Sequence, residues 1–145
     1  MSKAKSEYQF DGITPMQRDR EIEGEKGTEL GLPGGITLVV LAATDANPRW
    51  RNRADEITAE LNRLRNARAP GERVRKYLAV IYSQCLVIGW SGVKSSGAEI
   101  PFSSEACAAF LLQADDAYTA LDNVVYDTKN FRGARIEAVV SQAGE

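Results

Sequence analysis

Residues 1–27 are mainly polar and charged, with Tyr8, Phe10, Ile13 and Met16 scattered among them. That spacing predicts a polar arm rather than a packed element. The first apolar runs follow. Thr28-Glu29-Leu30-Gly31-Leu32 leads into Pro33-Gly34-Gly35, then Ile36-Thr37-Leu38-Val39-Val40-Leu41-Ala42-Ala43. A Pro-Gly-Gly turn between such runs predicts a β-hairpin over 28–43. The second strand would show Ile36, Leu38, Val40 and Ala42 on one face and Thr37, Val39, Leu41 and Ala43 on the other. Both faces ask for cover. A lone hairpin is marginal in water, so it must pack on helices or take strands from another chain.

Beyond residue 46 the spacing becomes helical. Asn47 is placed to cap a helix, with Pro48 at the first helical position, where its missing N–H costs nothing. Trp50, Ala54, Ile57, Leu61 and Leu64 form one apolar stripe. Ala69-Pro70-Gly71 breaks it. A second helix is predicted from Glu72 to Gly89, with Val74, Leu78, Ile81, Cys85 and Ile88 at the same spacing, and the short connector predicts an antiparallel helical hairpin. The second helix also carries Tyr77, Ala79, Val80, Tyr82, Leu86 and Val87. Its C-terminal two-thirds is apolar almost all round, so it is buried on every side or offers a face to a partner.

Lys94-Ser95-Ser96-Gly97 reads as a turn and Ala98-Glu99-Ile100 as extended chain. Ser103 is placed to cap a third helix, with Phe102 stapled onto Cys107. Asp115 or Asp116 opens a fourth helix carrying Tyr118, Leu121, Val124 and Val125. A last amphipathic stretch holds Phe131, Ile136, Val139 and Val140, kinked near Gly133. The expected fold is therefore mainly α with an N-terminal β-hairpin, an antiparallel helical hairpin and two or three further C-terminal helices. It forms a single compact domain over 28–145 (hairpin 28–43, helical part 47–145) behind the arm 1–27.

Composition narrows the chemistry. Histidine is absent from the 145 residues, which excludes Ser-His-Asp and Cys-His catalysis, His-ligated zinc and a histidine pH switch. Cys85 and Cys107 sit in apolar helical patterns and read as buried, inert thiols; a disulfide framework or metal site would need more of them. Gly92-Val93-Lys94-Ser95-Ser96-Gly97 has the glycines of a phosphate loop, but Ala98 stands where lysine is required. Gly89-Trp90-Ser91-Gly92-Val93 fails as a nucleophile elbow, since Val93 replaces the last glycine. No enzyme, cofactor or metal is expected. Leu38–Ala43 is too short to cross a bilayer, and residues 1–7 lack the apolar core of a signal peptide. These readings place the protein in the cell interior, off the membrane.

Net charge is -2, so no global basicity argues for nucleic acid. The charge is divided, however. Residues 49–76 hold nine Arg/Lys against four Asp/Glu, and residues 99–145 hold three against eight. The two segments are placed to pair within one fold or between copies. Apolar demand is high: Tyr77, Val80, Leu86, Val39 and Leu41 are candidate partner-binding positions, and Trp90, Tyr77 and Tyr82 are either a binding hot spot or core aromatics.

Residues 85–132 resemble the tail assembly chaperones of long-tailed bacteriophages. The resemblance is carried by Val87-Ile88-Gly89-Trp90-Ser91-Gly92-Val93, then Gly97, then Ile100-Pro101-Phe102-Ser103, then Leu111-Leu112, closing on Lys129-Asn130-Phe131-Arg132. It implies structural roles for Gly89, Trp90, Gly92, Val93, Gly97, Pro101, Phe102, Ser103 and Phe131. It also implies a non-enzymatic homo-oligomer that coats the tape-measure protein, helps recruit tail tube subunits, works in the bacterial host cytoplasm and is absent from the mature virion. Two rivals stay open: a virion structural protein of the minor tail or neck, and behind it a nucleic-acid-binding regulator using residues 49–76.

Overall fold

The computed structural model describes residues 8–138; the expectations for residues 1–7, Val139 and Val140 lie outside the described residues. In chain order the strands are β1 (Thr28–Leu32), β2 (Ile36–Val40), β3 (Val87–Ser91), β4 (Lys94–Ser95), β5 (Ala98–Glu99) and β6 (Ile136–Glu137). The helices are α1 (Pro48–Arg51), α2 (Ala54–Asn66), α3 (Gly71–Cys85), α4 (Ser104–Gln113) and α5 (Asp115–Val125). The Pro33-Gly34-Gly35 turn forms, and β1 pairs antiparallel with β2.

The sheet does not stop at that hairpin, which corrects the mainly α expectation. β3 adds antiparallel to β2, and β6 adds in parallel to β1, giving a mixed four-stranded sheet in the order β3-β2-β1-β6. Residues 87–89, expected to complete a helix, are therefore strand. A continuous apolar run carries no period of its own, so helical spacing read into it is not diagnostic. What ends α3 at Cys85 is tertiary: Asn47 Nδ2 donates to the Cys85 carbonyl at 3.0 Å, and the Leu41 N–H donates to Leu86 O at 2.6 Å. Nor does the last described stretch form a helix. Thr128–Asn130 makes one 3₁₀ turn, and the chain then bends at Arg132 and Gly133 before entering β6.

The caps form where the sequence places them. Asn47 Oδ1 accepts from the N–H groups of Arg49 (3.0 Å) and Trp50 (3.4 Å), and Ser103 Oγ accepts from Ala106 N–H at 3.0 Å. The first helix is split, with α1 ending before Asn52 and α2 starting after Arg53. The nearest helical neighbour of α3 is α4 rather than α2, because buried Ala79 and Ser83 let buried Cys107 approach closely. At the end of α2, Arg68 takes a φ of 53°. Glycine is the usual residue at such a left-handed helix end, and a side chain there costs about 1–2 kcal/mol.

The core lies on one face of the sheet. Trp90, Leu38, Leu30 and Ile136 are direct cross-strand partners, and Leu30, Leu38 and Val40 are fully buried. The opposite face carries Glu29, Gly31, Thr37, Gly89, Ser91 and Glu137. Arg135 lies across it, donating to Glu29 (3.1 Å), Glu137 (2.5 Å) and Thr37 Oγ1 (3.1 Å). Gly31 permits this crossing, since a Cβ there would stand 2.5 Å from the guanidinium.

The second face of β2 is covered by the chain itself. Gly27 lies against Val39 and Leu41. Glu23, fully buried, accepts from Arg18 Nε (2.9 Å), Arg18 Nη2 (2.5 Å) and Thr44 Oγ1 (2.8 Å), while its own carbonyl accepts from Ala42 N–H at 2.8 Å. Residues 18–27, read from sequence as the end of a polar arm, are thus fastened to the sheet.

Candidate functional site

The residues carrying the chaperone resemblance build one scaffold. Trp90, on β3, donates its indole N–H to Ile100 O at 2.9 Å and meets Phe102 and Phe110 edge-on, at 5.4 and 5.7 Å between ring centres. Such T-shaped contacts fix ring orientation as well as burying area. Ser96 and Gly97, with φ of 52° and 82°, make the two-residue turn between β4 and β5, as a type I′ hairpin requires. Gly92 sits at φ 80°, and a Cβ there would overlap the Gly35 carbonyl. Gly89 faces open space. Val93 and Phe131 are buried, and Pro101 is exposed before the Ser103 cap. These side chains hold the β3–α4 connection in place.

The candidate partner-binding positions separate. Leu41 and Leu86 are core residues and present no surface, and Tyr82 is fully buried. Val39 is half-buried beneath Gly27. Tyr77 and Val80, both on α3, remain: Val80 is 42% exposed, and Tyr77 lines a cleft of about 340 Å³ with Glu56, Ala59, Glu60 and Arg63 of α2. Ion pairs Arg53–Glu56 (2.9 Å) and Arg63–Glu60 (2.6 Å) flank the cleft. Hydrogen bonds from these arginines hold both glutamates below the usual carboxylate range. The Tyr77 hydroxyl is buried and has no hydrogen-bond partner among the described residues, and burial raises its pKa. A buried orphan polar group is rare and calls for an explanation.

A second opening lies at the hairpin tip, outside every candidate partner-binding position the sequence singles out. The hairpin tip and the α4–α5 junction enclose about 440 Å³ lined by Leu32, Pro33, Ile36, Phe110, Ala114 and Ala117, with Asp115 and Asp116 at its rim. Asp115 pairs with Arg75 at 2.6 Å, while Arg75 also donates to Leu111 O at 2.9 Å and lies over the Tyr118 ring. Asp116 has no ion pair among the described residues. No local sequence signal marks this groove, because its walls come from segments far apart in the chain.

An aromatic cluster joins α1, α3 and α5. Tyr82 stacks on Tyr118 and contacts Trp50; its hydroxyl donates to Asp122 Oδ1 at 2.6 Å and so accepts from the Tyr126 hydroxyl at 2.9 Å. Burial raises the Tyr82 pKa and pushes Tyr118 up to about 12. Desolvation likewise raises both thiols, Cys107 to about 11. Among the described residues, no His, Cys, Asp or Glu cluster could hold a metal ion, and no helix is long and apolar enough to cross a membrane.

The divided charge is only partly neutralised inside the chain. Arg75–Asp115 is the one ion pair between segments 49–76 and 99–145 among the described residues. Arg68, Arg73 and Lys76, around the α2–α3 elbow, are exposed and have no carboxylate within ion-pair distance there.

A family model described as YdaY prophage protein matches residues 45–140. The match takes in all five α-helices and the whole of segment 85–132. No curated protein and no solved structure matches the chain.

Proposed function

The chain belongs to the YdaY prophage protein family and is phage-derived; from that premise we propose that it is a tail assembly chaperone. It acts without catalysis, in the cytoplasm of the bacterial host. It self-associates, holds the tape-measure protein in solution, helps bring up tail tube subunits and stays out of the finished particle. The observation that carries this reading is the α2–α3 cleft, where Tyr77, its hydroxyl unpartnered among the described residues, faces Ala59, with half-exposed Val80 three residues further along α3. Such a face accepts one side of an amphipathic helix, whose apolar knobs recur at i, i+3, i+4 and i+7. A tape-measure helix repeats those knobs along its length, so several copies bind it by many weak contacts. The resemblance across residues 85–132 supports the same role.

Co-expression with a helical tape-measure fragment tests it. The wild-type chain keeps the fragment soluble. Val80→Asp loses that capacity while its circular dichroism and melting temperature stay as in wild type. Leu86→Asp unfolds, because Leu86 is fully buried and an unpaired charge in a core is not tolerated. A fragment that precipitates beside the wild-type chain refutes the holding role. A fragment held equally well by Val80→Asp moves it off this cleft. Mass spectrometry of purified particles checks that the protein is left behind.

A further inference from the structure

We propose that the acidic groove at the α4–α5 junction is filled by the α2–α3 elbow of a second copy, in a reciprocal two-fold pair. This rests on the self-association included in the proposed function and identifies its contact. Charge supplies the first argument. The groove has an apolar floor, with Leu32, Ile36 and Phe110, and Asp116 at its rim without an ion pair. The elbow offers a net complement: exposed Pro70 is flanked by Arg68, Arg73 and Lys76, none in an ion pair among the described residues, against one exposed acid, Glu72.

Shape is the second argument. About 440 Å³ takes a small knob rather than a whole helix, which is 10–12 Å across. Strain is the third. Arg68 occupies a left-handed position, at φ 53°, where glycine would serve the fold better; strain kept by a non-glycine residue points to use. The Arg75–Asp115 ion pair sets the symmetry. It brings the N-terminal part of α3, at Arg75, beside the groove, so elbow and groove share one end of the molecule. Patches adjacent on one end satisfy each other across a two-fold axis, and the assembly closes at two.

Sedimentation velocity over a concentration series, at low and high salt, reads the association. The wild-type chain forms dimers that weaken as salt rises. Arg68→Glu and Asp116→Lys each weaken dimerisation by about tenfold, and the double variant returns to within about threefold of wild type. Arg68→Gly separates fold from contact: it melts about 2–5 °C higher, because the helix end relaxes, yet dimerises more weakly. A double variant no better than the singles overturns the pairing, as does Arg68→Gly dimerising like wild type. A wild-type chain that remains monomeric yet keeps a tape-measure fragment soluble overturns the pairing and leaves the holding role standing. Fragment loss by Val80→Asp, with dimerisation unchanged, keeps the two surfaces distinct.

Discussion

Removing Asn47 should unfasten three elements at once. Its side chain is fully buried and makes four hydrogen bonds. Oδ1 caps α1 through Arg49 and Trp50, while Nδ2 donates to Ala42 O and Cys85 O, both at 3.0 Å. The residue thus starts one helix, ends another and holds the chain leaving β2. Asn47→Ala loses the cap, worth about 1 kcal/mol, and leaves two buried carbonyls short of a donor at about 1–3 kcal/mol each. The expected loss is roughly 3–7 kcal/mol by this count. For a chain of this size that is a fall of roughly 8–20 °C in melting temperature. Asn47→Ser separates the contributions, since its hydroxyl still caps α1 but cannot serve both carbonyls; it should keep the cap and lose most of the rest. Urea unfolding followed by far-UV circular dichroism measures both variants. A loss below about 1 kcal/mol for Asn47→Ala, or wild-type stability in Asn47→Ser, would refute the double-capping account.

Tyr77→Phe removes a buried hydroxyl that has no partner within the described chain, so the free protein should gain about 1 kcal/mol while its hold on a tape-measure fragment weakens; a loss of stability in urea would show that the hydroxyl is already satisfied. Gly92→Ala places a Cβ against the Gly35 carbonyl at a positive φ and should cost about 2–4 kcal/mol, read as a lower urea midpoint; an unchanged midpoint would show that the turn shifts freely. Glu23 should give stability a pH dependence. Hydrogen bonds from Arg18 hold its folded pKa below the ordinary glutamate value, so its contribution is full above that value and is lost as pH falls through the folded one. Glu23→Gln should lack this component, and parallel melting-temperature profiles for the two proteins on acidification would refute it.

What could be read from the chain beforehand was what local chemistry decides. Asn47-Pro48 and Ser103 declare helix starts because a side-chain acceptor followed by free N–H groups has few other uses. Pro33-Gly34-Gly35 and Ser96-Gly97 declare turns because so few residues tolerate positive φ. β3 lies inside an apolar run that fits a helix as well as a buried strand, and the tertiary bonds from Asn47 to Cys85 and from Leu41 to Leu86 settle where α3 stops. β6 is two residues long and is a strand only because β1 lies beside it. Tyr77 and Tyr82 sit on one helix and look equivalent in sequence, yet α5 buries Tyr82 while Tyr77 keeps an edge in the cleft. Leu86 and Leu41 looked like an apolar excess. Their cover came from the helices and from residues 22–27, a segment whose polarity masked its role. The acidic groove could not be anticipated at all, since neither wall has meaning without the other.

The pairing of β6 with β1 bears on how the protein is made. Residues 136–137 close an edge opened by residues 28–32. A ribosome adding about 5–20 residues per second leaves the hairpin exposed along that margin for roughly 5–20 s. Throughout that interval the nascent chain presents a row of unanswered amides and carbonyls that a neighbouring copy on the same messenger could capture. The closing strand is too short to add much strength, and its value lies in shutting that door last. Variants that weaken it should therefore betray themselves in the yield of soluble protein long before they show in the stability of what survives.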